Sequence, residues 1–289
     1  MQIKGTLGLD IDGTLTNEQH VLPELVVSFL TQLHHQGWCL VFITGREYVY
    51  AMQALSALDV PFYLAVQNGA DLIKMPQKLH LKSFYMDNSI IKDLQPLFEK
   101  ASLDFLLYSG FEKGDFCYFR PSRHKPAILE LLKAMEKRSA KPWKVVEDFS
   151  LKHQSAFPMI KALGFENDFA ELEPHVLHHH PVNFVSIKNP KAPDYSFLLI
   201  THKMATKKEA LQYFMEKFDL PRPLIVAGDD QNDRESLEFA DIRVVMDNAP
   251  KSLKSLADVL APLSTHHGII PGLNQALELV CKKGLISWG

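Results

Sequence analysis

Ile3-Lys4-Gly5-Thr6-Leu7-Gly8-Leu9 runs straight into Asp10-Ile11-Asp12-Gly13-Thr14, and the rest of the chain is arranged around that junction. The first seven residues have the length and apolar character of a buried strand, and the next five read as a polar turn. Asp10 and Asp12 stand two residues apart where strand gives way to turn. Both carboxylates can therefore point into one cavity while Ile11 points away.

Moving outward, a helix follows, with Pro23 near its first position, Leu25, Phe29, Leu30 and Leu33 on one face, and Gly37 just past its end. Trp38 to Ile43 is a second apolar strand, stopped by Thr44-Gly45-Arg46. A helix carrying Tyr48, Met52 and Leu55 on one face leads to a third strand, Val60 to Val66, which ends at Asn68-Gly69-Ala70. Strands alternating with helices over short loops imply right-handed crossovers and a parallel sheet. The same rhythm resumes late in the chain. Phe197 to Ile200, Leu224 to Ala227 and Ile242 to Met246 read as strands; Thr206 to Phe218, a stretch near Lys251 to Ala257, and about Gly272 to Cys281 read as helices. Between residues 81 and 191 the pattern changes to paired strands and helices with more aromatics and charge. The expectation is an α/β chain: a Rossmann-like parallel-sheet core over 1–80 and 192–289, with an α+β domain inserted over 81–191.

Composition narrows the function classes. Lys+Arg at 31 against Asp+Glu at 34 gives a net charge of −3, too balanced to suggest a nucleic-acid or acidic-membrane partner. Cys39, Cys117 and Cys281 are few and far apart, which fits a reducing compartment and neither a disulfide framework nor a metal-ligand pair. No apolar run reaches the ~20 residues that span a bilayer. Asp10 and Asp12 interrupt the N-terminal apolar stretch, so it does not read as a signal peptide, and the expected location is the cytoplasm. No Gly-x-Gly-x-x-Gly follows the first strand, which argues against a dinucleotide site.

In an open parallel sheet, ligands bind beyond the carboxyl ends of the strands. Four polar clusters fall at such ends or at a facing helix start: Asp10-x-Asp12-Gly13-Thr14, Thr44-Gly45-Arg46, the Lys207 region, and Gly228-Asp229-Asp230-Gln231-Asn232-Asp233. Each alone has an ordinary explanation. Asp-x-Asp-Gly is commonly a solvated turn, Thr44 a helix cap, Lys207 a solvated helix charge, and Asn232 or Asp233 a cap. Their joint placement is what suggests a site. Clustered carboxylates resist joint ionisation unless a cation neutralises them, and oxygen ligands of this charge suit Mg²⁺. Thr44, the amide of Gly45 and the ammonium of Lys207 would supply hydrogen bonds and positive charge to a phosphoryl group. The run His178-His179-His180 reads as a polar helix end, because consecutive helical residues point in different directions.

These residues carry a family resemblance. Leu9-Asp10-Ile11-Asp12-Gly13-Thr14-Leu15 resembles the first motif of the haloacid dehalogenase superfamily of aspartate-nucleophile phosphatases, and Ile43-Thr44-Gly45-Arg46 resembles the second motif of its Cof-type branch. Asn68-Gly69-Ala70 and Asn248-Ala249 are similar to further features of that branch. Lys207, in Lys207-Lys208-Glu209-Ala210-Leu211, matches the third-motif lysine, and Gly228-Asp229-Asp230-Gln231-Asn232-Asp233 matches the fourth motif. Lys208 stands where the branch usually has Gly; the spacing to Ala210-Leu211 favours Lys207 over it.

The resemblance implies a large α/β cap in place of the insertion and a Mg²⁺-dependent phosphatase acting on a small phosphorylated metabolite. It makes Asp10 the nucleophile that forms an aspartyl-phosphate, and Asp12 the acid for the leaving oxygen and then the base for water. Mg²⁺ would take the carboxylates of Asp10 and Asp229 and the main-chain carbonyl of Asp12, with Asp233 an outer ligand or the partner of Lys207. Thr44, Gly45, Lys207 and Asn232 would hold phosphoryl oxygens. Two other readings stand beside this one: a phosphotransferase or phosphomutase on the same scaffold, and a metabolite-binding protein without catalysis.

Overall fold

The computed structural model describes residues 3–137, 139, 141–150, 155–189 and 192–286. It divides into two compact units, one of Met1–Arg46, Ala51–Lys82 and Thr206–Gly289, the other of Glu47–Tyr50 and Ser83–Ala205. In chain order the elements begin with β1 (Gly5–Leu9), α1 (Glu24–His35), β2 (Trp38–Ile43), α2 (Tyr48–Leu55), β3 (Phe62–Val66), β4 (Asp71–Met75) and β5 (Leu79–Ser83). The insertion carries β6 (Met86–Asp87), α3 (Ser89–Lys100), β7 (Phe105–Tyr108), β8 (Cys117–Phe119), α4 (Pro126–Glu136), β9 (Lys144–Val145), β10 (Ala156–Phe157), β11 (Met159–Gly164), α5 (Glu166–His179), β12 (Val182–Lys188) and β13 (Ser196–His202). The chain closes with α6 (Lys207–Lys217), β14 (Leu224–Gly228), α7 (Arg234–Phe239), β15 (Ile242–Met246), α8 (Lys251–Lys254), β16 (Val259–Ala261) and α9 (Ile269–Lys282).

The first unit is built on a sheet in the order β16-β15-β14-β1-β2-β3-β4-β5. From β16 to β3 every pairing is parallel, and β4 runs antiparallel to β3. β1 lies at the centre, with β2 on one side and β14 on the other. Chain order therefore reverses between β1 and β14, and a crevice opens at the carboxyl ends of that pair. The central strands β1 and β14 are fully buried, as a sheet covered on both faces requires, and Leu7, Leu9, Ile225 and Ala227, with Leu40 and Phe42 of the neighbouring β2, are each inaccessible to solvent. α6 packs where the sheet offers no side chain. A Cβ placed on Gly8 would lie 3.0 Å from the methyl groups of Leu211, so the helix approaches β1 only because residue 8 is glycine.

The second unit has a sheet in the order β12-β13-β11-β7-β8-β9, antiparallel except where β8 meets β9. Its core gathers Phe98, Phe105, Phe157, Ile160, Leu198 and Ile200. The turn between β7 and β8 carries Asp115, whose buried carboxylate accepts from the backbone N–H groups of Tyr48 (3.3 Å) and Val49 (2.7 Å). The ring of Tyr48 meets Phe111 of the same turn edge-on, with centroids 4.6 Å apart. Glu47–Tyr50 thus count with this unit although they open a helix that continues in the other.

Most expected elements are present, and one strand is assigned to the wrong sheet by its sequence. Phe197 to Ile200 reads as a resumption of the parallel core. Instead β13 is antiparallel to β11, with Ile160 opposite Ile200, and to β12, with Val185 opposite Leu199. A continuous apolar run marks a buried strand but carries no record of its partner. The second unit consequently extends to Ala205, past the expected boundary, where Lys191 itself lies outside the described residues. β4 and β5, unexpected from sequence, extend the first sheet towards residue 82. Among the described residues no helix is long and apolar enough to cross a membrane.

Candidate active site

Three strand ends and one helix start converge at the β1–β14 crevice. The Asp10 N–H donates to the Ala227 carbonyl at 3.0 Å, which fixes the carboxylate of residue 10 at the end of β1. Lys207 and Leu211 are four residues apart and share a face of α6. With Leu211 seated on Gly8, Lys207 is carried to the end of β1, where Asp10 sits. Thr206 caps this helix, its hydroxyl accepting from the Glu209 N–H at 3.1 Å. Lys208, on the next face, pairs with Glu209 at 2.6 Å, so Lys207 is the lysine that enters the crevice.

Lys207 Nζ donates to Asp10 Oδ1 and to Asp233 Oδ1, both at 2.6 Å, and all three side chains are at most 6% exposed. The other oxygen of Asp233 accepts from the backbone N–H groups of Asp229 and Asp230, each at 3.1 Å. Asp233 is thereby occupied on both oxygens, and it holds the β14 loop and the lysine together. The tightness of this loop rests on Gly228, where a Cβ would meet Asp233 Cγ at 2.4 Å. Asp229 accepts from Asn248 Nδ2 at 2.6 Å and from the Thr14 hydroxyl at 3.4 Å. Gly13, at φ +72°, lets the turn after β1 lie against it, since any Cβ there would sit 2.1 Å from Asp229 Oδ2.

One oxygen from each of Asp10, Asp229 and Asp233 lies within 4.8 Å of the others, a group able to hold a metal ion. Burial raises the Asp10 carboxyl to about 7; Lys207 opposes that rise and Asp233 adds to it. Asp229 is raised well above the ordinary carboxylate range by burial and by the charges of Asp10 and Asp233. Burial works against a charged Lys207, but Asp10 and Asp233 outweigh it and hold the ammonium well above its usual range. Three carboxylates against one ammonium leave negative charge out of water without a partner, and hard oxygen donors in this arrangement fit a divalent cation.

Asp12 does not join that group. Its carboxylate is held by Arg46 instead: Nε donates to Oδ2 at 2.7 Å and Nη2 to Oδ1 at 2.6 Å. Arg46 is buried and also donates to the His20 carbonyl at 3.1 Å, while His20 Nδ1 lies 3.3 Å from Asp12 Oδ1. Burial pushes the Asp12 carboxyl up, yet the bonds from Arg46 and His20 prevail and hold it well below the usual range. Sequence reasoning quoted Arg46 within its motif but missed its hold on Asp12, and nothing in the sequence marks His20.

Thr44 is buried at the end of β2, with its hydroxyl accepting from the Arg46 N–H at 3.1 Å and its carbonyl from the Asn68 N–H at 2.8 Å. Asn68 places its side-chain oxygen 3.4 Å from where a Cβ of Gly45 would be, and it accepts from Asn232 Nδ2 at 3.1 Å. Asn68 thus links the Thr44-Gly45 turn to the β14 loop. His178 and His179 close α5, as a polar helix end does.

The model of the haloacid dehalogenase-like hydrolase family matches residues 7–273. The phosphatase YwpJ of Bacillus subtilis is 24% identical, over 91% of this chain and 96% of its own. The 5-amino-6-(5-phospho-D-ribitylamino)uracil phosphatase YitU of the same organism is 22% identical, over 94% and 97%. A solved haloacid dehalogenase-like hydrolase from Bacteroides thetaiotaomicron superposes with a TM-score of 0.77 over 94% of this chain and 99% of that one. At 20% identity that likeness is one of fold. With its motifs gathered at one crevice and the family model spanning nearly its whole length, the chain belongs to the haloacid dehalogenase-like hydrolases, as a Cof-type member.

Proposed function

We propose that this hydrolase is a phosphatase that cleaves a small phosphorylated metabolite, with Asp10 as nucleophile. The observation that carries the reading is the buried Lys207 bridging Asp10 and Asp233 beside Asp229. An aspartate so placed is aimed and partly neutralised, as attack on an anionic phosphate requires. The relatives named as phosphatases support the same chemistry.

In this mechanism an Asp10 carboxylate oxygen bonds to phosphorus as the ester P–O bond breaks, and the departing alkoxide takes a proton from Asp12. Asp12 then removes a proton from water, whose oxygen attacks phosphorus and breaks the bond to Asp10. Lys207, the Thr44 hydroxyl, the Gly45 N–H and the Asn232 amide bind phosphoryl oxygens. Asp10, Asp229 and the Asp12 carbonyl would hold Mg²⁺, which when bound neutralises the carboxylates and the phosphate; Asp233 anchors Lys207. The pairing with Arg46 sets Asp12 up as the base; to act as the acid it must take up a proton and release at least one Arg46 bond. The inserted unit supplies selectivity among metabolites, since the groups just named read only phosphate.

Phosphate release from a panel of sugar phosphates, nucleotides and phosphorylated cofactors tests the reading. Activity is expected with Mg²⁺, at background with excess chelator, and at background for Asp10→Asn. Full turnover in chelator would remove the metal assignment, and an active Asp10→Asn would remove the nucleophile.

A further inference from the structure

The chemistry above draws no group from residues 83–205, yet that unit contains a cavity of its own. It has a volume of about 390 Å³, and its lining includes Glu99, Asp104, Arg120, Arg123, His124 and Lys125. It lies between the end of α3 and the start of α4, at the ends of β7 and β8 away from the turn that carries Asp115. Arg120 is the centre of it. Its side chain is 2% exposed, Nε and Nη2 both donate to the Asp104 carboxylate, and the guanidinium lies 4.3 Å from the ring centroid of Phe149. Among the described residues Nη1 is left buried without a hydrogen-bond partner. The His124 side chain is also 2% exposed, and its buried Nε2 has no hydrogen-bond partner either. The nearest oxygen of Asp104 is 4.0 Å from Nε2, beyond hydrogen-bond reach.

Two buried nitrogens without partners, on two residues that line one cavity, are unusual, because native proteins pair nearly all such atoms. The charge around them has a sign. Arg120 already neutralises Asp104, and the Arg123–Glu99 pair, at 3.3 Å with both side chains about half exposed, is too solvated to hold Arg123 firmly. Lys125 is exposed at the N-cap of α4, a helix with no acidic residue in its first turn and no side chain capping it. An uncapped helix start favours an anion, here with cationic side chains immediately before it.

We propose that this cavity is a phosphate-binding site, separate from the one that contains Lys207. A tetrahedral anion offers several acceptor oxygens to donors that converge from different directions: Arg120, His124 with its proton on Nε2, Arg123, Lys125 and the start of α4. A planar carboxylate would satisfy fewer of them. The volume lies at the small end of ligand sites, so the phosphate is either free or borne by a small molecule. This inference does not depend on the reaction assigned above.

The test uses full-length protein in chelator, where no ester is turned over, labelled with ¹⁵N-histidine and held at one pH. The imidazole signal of His124, identified by its loss in His124→Gln, is followed against inorganic phosphate and, separately, glycerol 3-phosphate. A saturable shift is expected, weakened at least tenfold in Arg123→Gln/Lys125→Gln; those side chains are exposed, so that variant folds. Tighter saturation by glycerol 3-phosphate would identify a phosphorylated small molecule as the ligand, and equal or tighter saturation by phosphate would identify the free ion. A shift no larger than chloride gives at equal ionic strength would overturn the proposal. So would a shift that saturates identically in the double variant, since its source would then lie elsewhere.

Discussion

Asp12 is given two tasks, and its hold on Arg46 makes them separable by experiment. As an acid it matters most when the departing alkoxide is a strong base, as from a sugar phosphate, and little when a nitrophenolate leaves. General acid–base groups typically contribute ~10²- to 10⁴-fold in rate. Asp12→Asn should lose about that much in kcat/KM on a sugar phosphate and much less on nitrophenyl phosphate. On the aryl ester a burst of nitrophenolate should precede slow turnover, because phospho-Asp10 then accumulates without a base to activate water. Equal losses on both substrates with no burst would reduce Asp12 to a positioning group. At this scale the sequence was readable where function sits next to secondary structure. Lys207 could be preferred to Lys208 because its spacing to Ala210-Leu211 fits the motif the chain resembles, and in the structure Leu211 packs at Gly8. The Arg46–Asp12 pair joins residues far apart in sequence, and the bend that brings His20 to them, at φ +61°, has no local signature.

Between β14 and α7 the loop Gly228–Asp233 depends on how closely its backbone can approach its own aspartate. Gly228→Ala would put a methyl group 2.4 Å from Asp233 Cγ, and Asp233 would have to move. That motion breaks the bonds to the Asp229 and Asp230 N–H groups and loosens Lys207. Overpacking of this kind costs about 1–3 kcal/mol, measurable as a lower urea midpoint. Turnover should fall by about tenfold or more, the usual result of losing a charged hydrogen bond. Unchanged turnover at a lowered midpoint would show that the loop serves the fold alone. Elements such as β2 and β15 were readable to the residue because their apolar runs end at sharp polar turns. β13 was readable as a strand and misassigned to a sheet, because its place is set by β11 and β12 rather than by its own residues.

Across the whole molecule, the buried carboxylates make stability depend on pH and on cations together. Asp10 titrates at about 7 in the folded chain against an ordinary 3.8, and Asp229 is shifted the same way. Between those values the folded state keeps a proton that the unfolded state has released, so raising pH through that window lowers stability. Metal-free protein should therefore lose Tm from pH 5 to pH 8 more steeply than Asp229→Asn does. Added Mg²⁺ should raise Tm more at pH 8 than at pH 5, because cation and proton compete for the same oxygens. An equal gain at both pH values would place the cation elsewhere. The buried carboxylate of Asp115 bears on a different matter, the exchange of parts between relatives. Its donors are the N–H groups of Tyr48 and Val49, which precede residue 83 by some thirty positions in the gene. Residues 83–205 grafted alone would therefore bring the Asp115 carboxylate without two of its hydrogen-bond donors. A chimera built with this segment should carry residues 47–50, or a backbone that offers the same two N–H groups.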